Sequence, residues 1–415
     1  MRIILSWIEL YFWTIIIWCF SLGVLYLVKK TRLFALSLVF STMLFFVGLK
    51  VISSFFLTDQ NYQSNKQKEF LALMDISGND LAVNITPSAW LTSRDGRGLS
   101  SLVPEKFRDE IGGFFPLGSA PNVRTFYCQE DEGFISYTTD RFGFRNNDEL
   151  WNDERHDIVI LGDSFSESAC VKTPLQDYFH PQKTIITLGK GGNGPLIALA
   201  ALTEYLEEFK PEVVYHFVVP NDYSTSRASK IKIDLERELE ETSLRVYLEN
   251  KGPILNYFRS IDLSKLRSFA ISYSRKLVMN NTLEKEELIS YFSNIFSYDF
   301  LRSQILFAMN ALYIGPHDFR FMERDLLEDV YSSMIKVANA KGVDLRFVLL
   351  PSKYSRCLND SRHIYLKQVF SKLSEHPINL WGTMCNLDYF ATKGVHFNAI
   401  GYQNLVKEIE QDFDG

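Results

Sequence analysis

Residues 158–164 read Ile-Val-Ile-Leu-Gly-Asp-Ser, and this stretch decides the fold. Its four aliphatic residues form the continuous apolar run of a strand covered on both faces. Gly162 then permits a tight turn that presents Asp163 and Ser164 at the strand's carboxyl end. Open parallel sheets build their clefts at that end. Outward from it, apolar runs at 183–188, 212–219 and 344–350 predict further parallel strands. Helices are predicted at 195–209, 323–341, 359–374 and 399–412. The alternation predicts an α/β fold, a three-layer sandwich with a central parallel sheet.

Three regions are expected along the 415 residues. Residues 1–57 read as a two-helix transmembrane anchor preceding the α/β fold. Its apolar segments, 10–28 and 33–57, are separated by Lys29, Lys30, Thr31 and Arg32. Each is long enough to cross a hydrocarbon core of about 30 Å as a helix. The basic link stays cytoplasmic, which places the remainder on the periplasmic or extracytoplasmic side of a bacterial inner membrane. Residues 58–150 read as a linker and irregular N-terminal lobe, with short strands at Val123–Tyr127 and Phe134–Thr138. Residues 151–415 carry the α/β domain, interrupted at about 225–320 by a helical, charged and aromatic insertion.

Composition bounds the function. A chain 46% hydrophobic with a formal charge of -6 is not a disordered one. No arginine- and lysine-rich stripe speaks for nucleic acid. Cysteine, histidine and carboxylate spacing predicts neither a metal nor another cofactor. Cys128, Cys170, Cys357 and Cys385 lie beyond the expected anchor, and four cysteines allow three pairings. Cys128–Cys170 with Cys357–Cys385 is the expected set, and buried free thiols are the alternative.

The chemistry-bearing residues are spread widely. Ser164 follows the first strand as a candidate nucleophile, and His396, in His-Phe-Asn-Ala-Ile-Gly, is a candidate general base. Thr187-Leu-Gly-Lys-Gly-Gly-Asn-Gly-Pro195 follows the second strand. It lacks the lysine–hydroxyl ending of a nucleotide loop and the spaced dinucleotide fingerprint. An exposed backbone N–H at the cleft is the economical reading. Asn221, in Val219-Pro-Asn-Asp-Tyr223, offers a side-chain donor after the third strand. Asp163 reads as a brace for the nucleophile turn, and His216, inside an apolar strand, as structural.

These blocks resemble the SGNH, or GDSL-like, hydrolase superfamily in a membrane-anchored bacterial form. The resemblance covers about 157–222 and 344–410, and Thr139-Asp-Arg-Phe-Gly-Phe-Arg-Asn146 is similar to a segment preceding this core in membrane-associated relatives. It implies Ser164 as nucleophile, His396 as base, and oxyanion donors at the Ser164 and Gly192 N–H groups and the Asn221 amide. Relatives carry Asp two or three residues before the histidine, where this chain has Gly394 and Lys393. Asp388 looping back, or a backbone carbonyl, is left to orient the ring, and lost activity is the further alternative. The implied function is an outward-facing serine esterase acting on an ester-bearing substrate such as an O-acetylated envelope glycan. An O-acyltransferase and a noncatalytic envelope component that binds glycan or protein are the alternatives. The bilayer and envelope proteins are the expected partners.

Overall fold

A computed structural model describes residues 81–83, 117–226, 233–239 and 319–414, apart from 356–359 and a few single positions within those ranges. Its frame is a five-stranded sheet built from β4 (Ile158–Leu161), β5 (Ile185–Thr187), β6 (Val213–Val218), β9 (Asp344–Leu349) and β10 (Ile378–Asn379). The order is β10-β9-β6-β4-β5, with every neighbouring pair parallel. Leu161 pairs with His216, and Val218 pairs with Leu349. The chain leaves β4 for the outer strand β5 and returns across β4 to β6. The β4/β6 boundary is therefore the topological switch point, where such sheets open a crevice beyond their carboxyl ends.

Alternation along the strands divides the core into two layers. Val159, Leu161, Val214, Val218 and Phe347 face α2 (Pro195–Phe209), α4 (Arg324–Lys341) and α5 (Ser361–Leu373). Ile158, Ile160, Val213, Tyr215, Phe217 and Val348 face α6 (Ala399–Asp414). Proline at the first position of α2 fits a site where its missing N–H costs nothing. Gly342 ends α4 in a left-handed turn. His216 is 1% exposed between the Tyr331 and Phe347 rings, and burial lowers its pKa to about 3.

Upstream of the sheet, β1 (Leu81–Val83) pairs in parallel with β2 (Arg124–Glu130), and β2 forms an antiparallel hairpin with β3 (Gly133–Thr138). The segment 139–146 binds this hairpin to the α/β core. Asp140 accepts the N–H groups of Phe142 and Phe144 on one oxygen, and those of Asn146 and Trp151 on the other. Asn146 also exchanges hydrogen bonds with Thr187 at the end of β5. Arg145, 4% exposed, donates to the carbonyls of Ser168, Val171 and Lys172 behind the Ser164 turn. The insertion is described only at its margins: β7 (Ser224–Ser226) pairs with β8 (Phe319–Phe321), and α3 (Asp234–Leu239) lies after β7.

Several expectations are corrected. The segments 10–28 and 33–57 lie outside the described residues, and among the described residues no helix is long and apolar enough to cross a membrane. The longest, the 18-residue α4, carries Arg324, Asp325, Glu328, Asp329, Lys336 and Lys341, and buries an apolar stripe on the sheet instead. The two transmembrane helices, the membrane-anchored type, the bilayer as partner and the extracytoplasmic placement are accordingly not carried forward. Cys170 and Cys385 are each disulfide-bonded; the side chains of Cys128 and Cys357, their expected partners, lie outside the described residues.

Candidate active site

Two loops at the switch point bring the first site residues together. After β4, Gly162 adopts φ +144°, and a Cβ there would meet Ser166 Oγ at 3.0 Å and Phe217 O at 3.1 Å. Only glycine fits that turn without strain. Asp163 then caps the short α1 (Ser164–Glu167) by accepting the Phe165 N–H at 2.9 Å. Ser164, 7% exposed, opens this turn. After β6, a single 3-10 turn carries Asn221.

His396 reaches Ser164 from the loop before α6. Its Nε2 lies 2.8 Å from Ser164 Oγ, and its Nδ1 lies 2.8 Å from Glu130 Oε1. The Phe165 ring packs 5.2 Å from the imidazole. A carboxylate at Nδ1 favours the tautomer with its proton there, leaving Nε2 as the acceptor for the serine hydroxyl. Ser164, His396 and Glu130 form a continuous hydrogen-bonded chain.

Glu130 is the residue that sequence reasoning missed. It ends β2, and Asp131 and Glu132 follow it in the turn. Glu130 also accepts the Val395 N–H at 3.1 Å, Asp131 accepts that of Thr392, and Glu132 accepts that of Lys172. Lys353 donates to the carbonyls of Ala391, Thr392 and Gly394, bracing the histidine loop from beneath. Burial alone would raise the Glu130 carboxyl. The hydrogen bond and charge of His396, with the N–H groups of Val395 and His396, hold it below the ordinary glutamate value. A Cβ on Gly394 would stand 1.8 Å from the Glu130 carboxyl carbon. The carboxylate thus fills the space beside Gly394. The acidic Gln129-Glu-Asp-Glu-Gly133 turn was visible in sequence, but no periodicity relates it to a loop 266 residues away.

Asp388 is not among the groups that meet His396. It is exposed in a 3-10 turn, where its carbonyl accepts from Asn398. Lys393 lies outside the described residues.

The glycine loop after β5 is held from two sides. Glu167 accepts the Gly191 N–H at 2.7 Å and pairs with the fully buried Lys190 at 2.7 Å, with Tyr137 completing the cluster. Asn193 N–H donates to the Lys190 carbonyl, while the N–H groups of Gly194 and Leu196 donate to Glu238. Gly192, at φ +76°, is left with an N–H that has no acceptor among the described residues. The same holds for the N–H of Ser164. Asn221 Nδ2 donates to Asp163 at 3.0 Å and to Asp234 at 2.9 Å. An oxyanion at that amide would share or displace one of these acceptors.

Glu130, Cys170 and His396 bring three atoms of ligand-bearing residue types within 4.8 Å of one another, with Cys170 Sγ 3.0 Å from Nδ1, but that sulfur is held in a disulfide and offers no thiolate. The imidazole and Glu130 already satisfy each other, and a cation at Nδ1 would have to separate them. No metal is assigned there.

Comparison of the sequence with protein-family models and with curated proteins gave no match. Among solved structures, the lipase/acylhydrolase from Enterococcus faecalis is similar at 13% identity and a TM-score of 0.32, covering 62% of this chain and 96% of that one. A GDSL-like lipase from Bacteroides thetaiotaomicron is similar at 13% identity and a TM-score of 0.29, covering 62% and 88%. At these values neither a residue's role nor a substrate passes from those proteins to this chain.

Proposed function

We propose that this protein is a serine-dependent ester hydrolase in which Ser164, His396 and Glu130 act as nucleophile, general base and orienting acid. One observation carries the reading: the His396 ring is held at 2.8 Å on both nitrogens, by Ser164 Oγ and by Glu130 Oε1. A histidine kept for packing alone has no need of a hydroxyl and a carboxylate on opposite ring atoms.

The chemistry follows from the atoms present. Ser164 Oγ bonds to the ester carbonyl carbon as its proton passes to His396 Nε2. Glu130 stabilises the imidazolium that results. The tetrahedral intermediate collapses with cleavage of the ester C–O bond, and Nε2 returns the proton to the leaving alcohol. Water then gives a proton to Nε2 as its oxygen attacks the acyl carbon, and Ser164 recovers that proton when the acid departs. The N–H groups of Ser164 and Gly192 and the Asn221 amide are the oxyanion donors in this scheme. Removal of one such donor typically costs about 3–4 kcal/mol of transition-state stabilisation.

The narrower expectation of O-acetyl groups on envelope glycans rested on an outward placement and is not carried forward. The substrate class proposed is an acyl ester. The full chain should hydrolyse p-nitrophenyl acetate, and Ser164→Ala should reduce turnover to the uncatalysed background. Equal rates for the two proteins would reject Ser164 as the nucleophile.

A further inference from the structure

The first described helix of the insertion, α3, touches both loops that supply the distal oxyanion donors. Asn221 Nδ2 donates to Asp234 Oδ2 at 2.9 Å. Asp234 Oδ1 pairs with the Arg237 guanidinium at 2.7 Å, one helical turn later. Arg237 in turn donates to the Gly192 carbonyl at 2.7 Å. One more residue on, Glu238 takes the N–H groups of Gly194 and Leu196. An unbroken path of polar contacts thus runs from the Asn221 amide to the Gly192 backbone.

We propose that Asp234 and Arg237 are positioning residues of the oxyanion hole, acting through Asn221 and Gly192 to set the two distal donors relative to each other. The inference rests on the esterase reading above. Physically, a side-chain amide can rotate about its last torsion, and a glycine at positive φ has little of its own to hold its peptide plane. Asp234 restrains the first, Arg237 pins the peptide on the carbonyl side of Gly192 and so limits rotation about the glycine that carries the N–H, and their mutual ion pair couples the two restraints. Asp234 is 7% exposed, so its contacts exclude competing water. Preorganised donors contribute to the transition state rather than to the ground state, and their loss should appear in kcat.

The test uses the full chain, p-nitrophenyl acetate for steady-state rates and a fluorophosphonate probe for the reactivity of Ser164. Asp234→Asn and Arg237→Met should each lower kcat by about 10- to 100-fold with KM within about twofold. In an Asn221→Ala background the Asp234→Asn loss should largely vanish, because the residue through which it acts is gone. Arg237→Lys keeps the charge but cannot span both partners, and gives the same readout should a more severe variant fail to fold. Unchanged or raised kcat, a loss confined to KM, or full additivity with Asn221→Ala would each overturn the inference while leaving the esterase reading intact. A wild-type protein that neither turns over the ester nor reacts with the probe at Ser164 would overturn both.

Discussion

At the scale of single residues, the imidazole of His396 is oriented by Glu130 rather than by an acid in its own loop. Two consequences separate this arrangement from its rivals. Glu130→Ala should lower kcat/KM by about 100-fold or more, because the half-buried ring loses the partner that sets its tautomer and stabilises its charged form. Asp388→Asn should leave the rate within about twofold, since Asp388 sits exposed in another turn. Gly394→Ala should imitate Glu130→Ala, because the added methyl would occupy the carboxylate's place. Steady-state hydrolysis by all three variants, with the Glu130→Ala/Gly394→Ala double variant no slower than the worse single one, checks the assignment. This part of the site was least legible in sequence. Ser164 and His396 stand in recognisable local contexts, whereas Glu130 is one acid among several in an ordinary turn.

At the scale of elements, segment 139–146 holds the hairpin that carries Glu130 against the sheet that carries Ser164. Its contacts show what it does in this chain. Asp140 gathers two backbone and two side-chain donors, and burial raises its carboxyl to about 6. Asparagine in its place keeps one acceptor oxygen and sets an amide nitrogen against donors that need the other. Asp140→Asn should therefore cost about 2–4 kcal/mol of unfolding free energy, measured by denaturant titration. The helices over 195–209, 324–341, 361–373 and 399–414 lie close to where periodicity placed them. The two-residue strand β10 was not anticipated, because so short a run has no pattern of its own.

At the scale of the whole molecule, the fold buries several carboxyl groups near the switch point. Desolvation raises Asp234 to about 6 and Glu238 to about 8, and raises Asp163 and Asp222 as well. A carboxyl raised in the fold binds its proton more tightly there than in the unfolded chain. Its contribution to stability is complete below its unfolded value and declines as pH rises through its folded value. The decline spans about pH 4 to 6 for Asp140 and Asp234, and about 4.5 to 8 for Glu238. Glu130 runs the other way: its contribution is present above 4.5 and lost as pH falls through its depressed value. The denaturant midpoint should thus be higher near pH 5.5 than near pH 8.5, and a flat or rising profile over that range would contradict the desolvation that raises these groups.

From its amino acids alone, this chain could be read as a parallel α/β sheet with Ser164 after the first strand, Asn221 after the third and His396 before the last helix. Those features are local: apolar runs, a glycine turn and a proline-led helix leave their mark within a few residues. Tertiary structure decided what surrounds them. Glu130 lies 266 positions from the imidazole it meets, and Asp234 and Arg237 join two loops that follow different strands. Such partners are selected by packing and by the requirement that buried polar groups satisfy one another, and neither condition leaves a period or a spacing in the sequence.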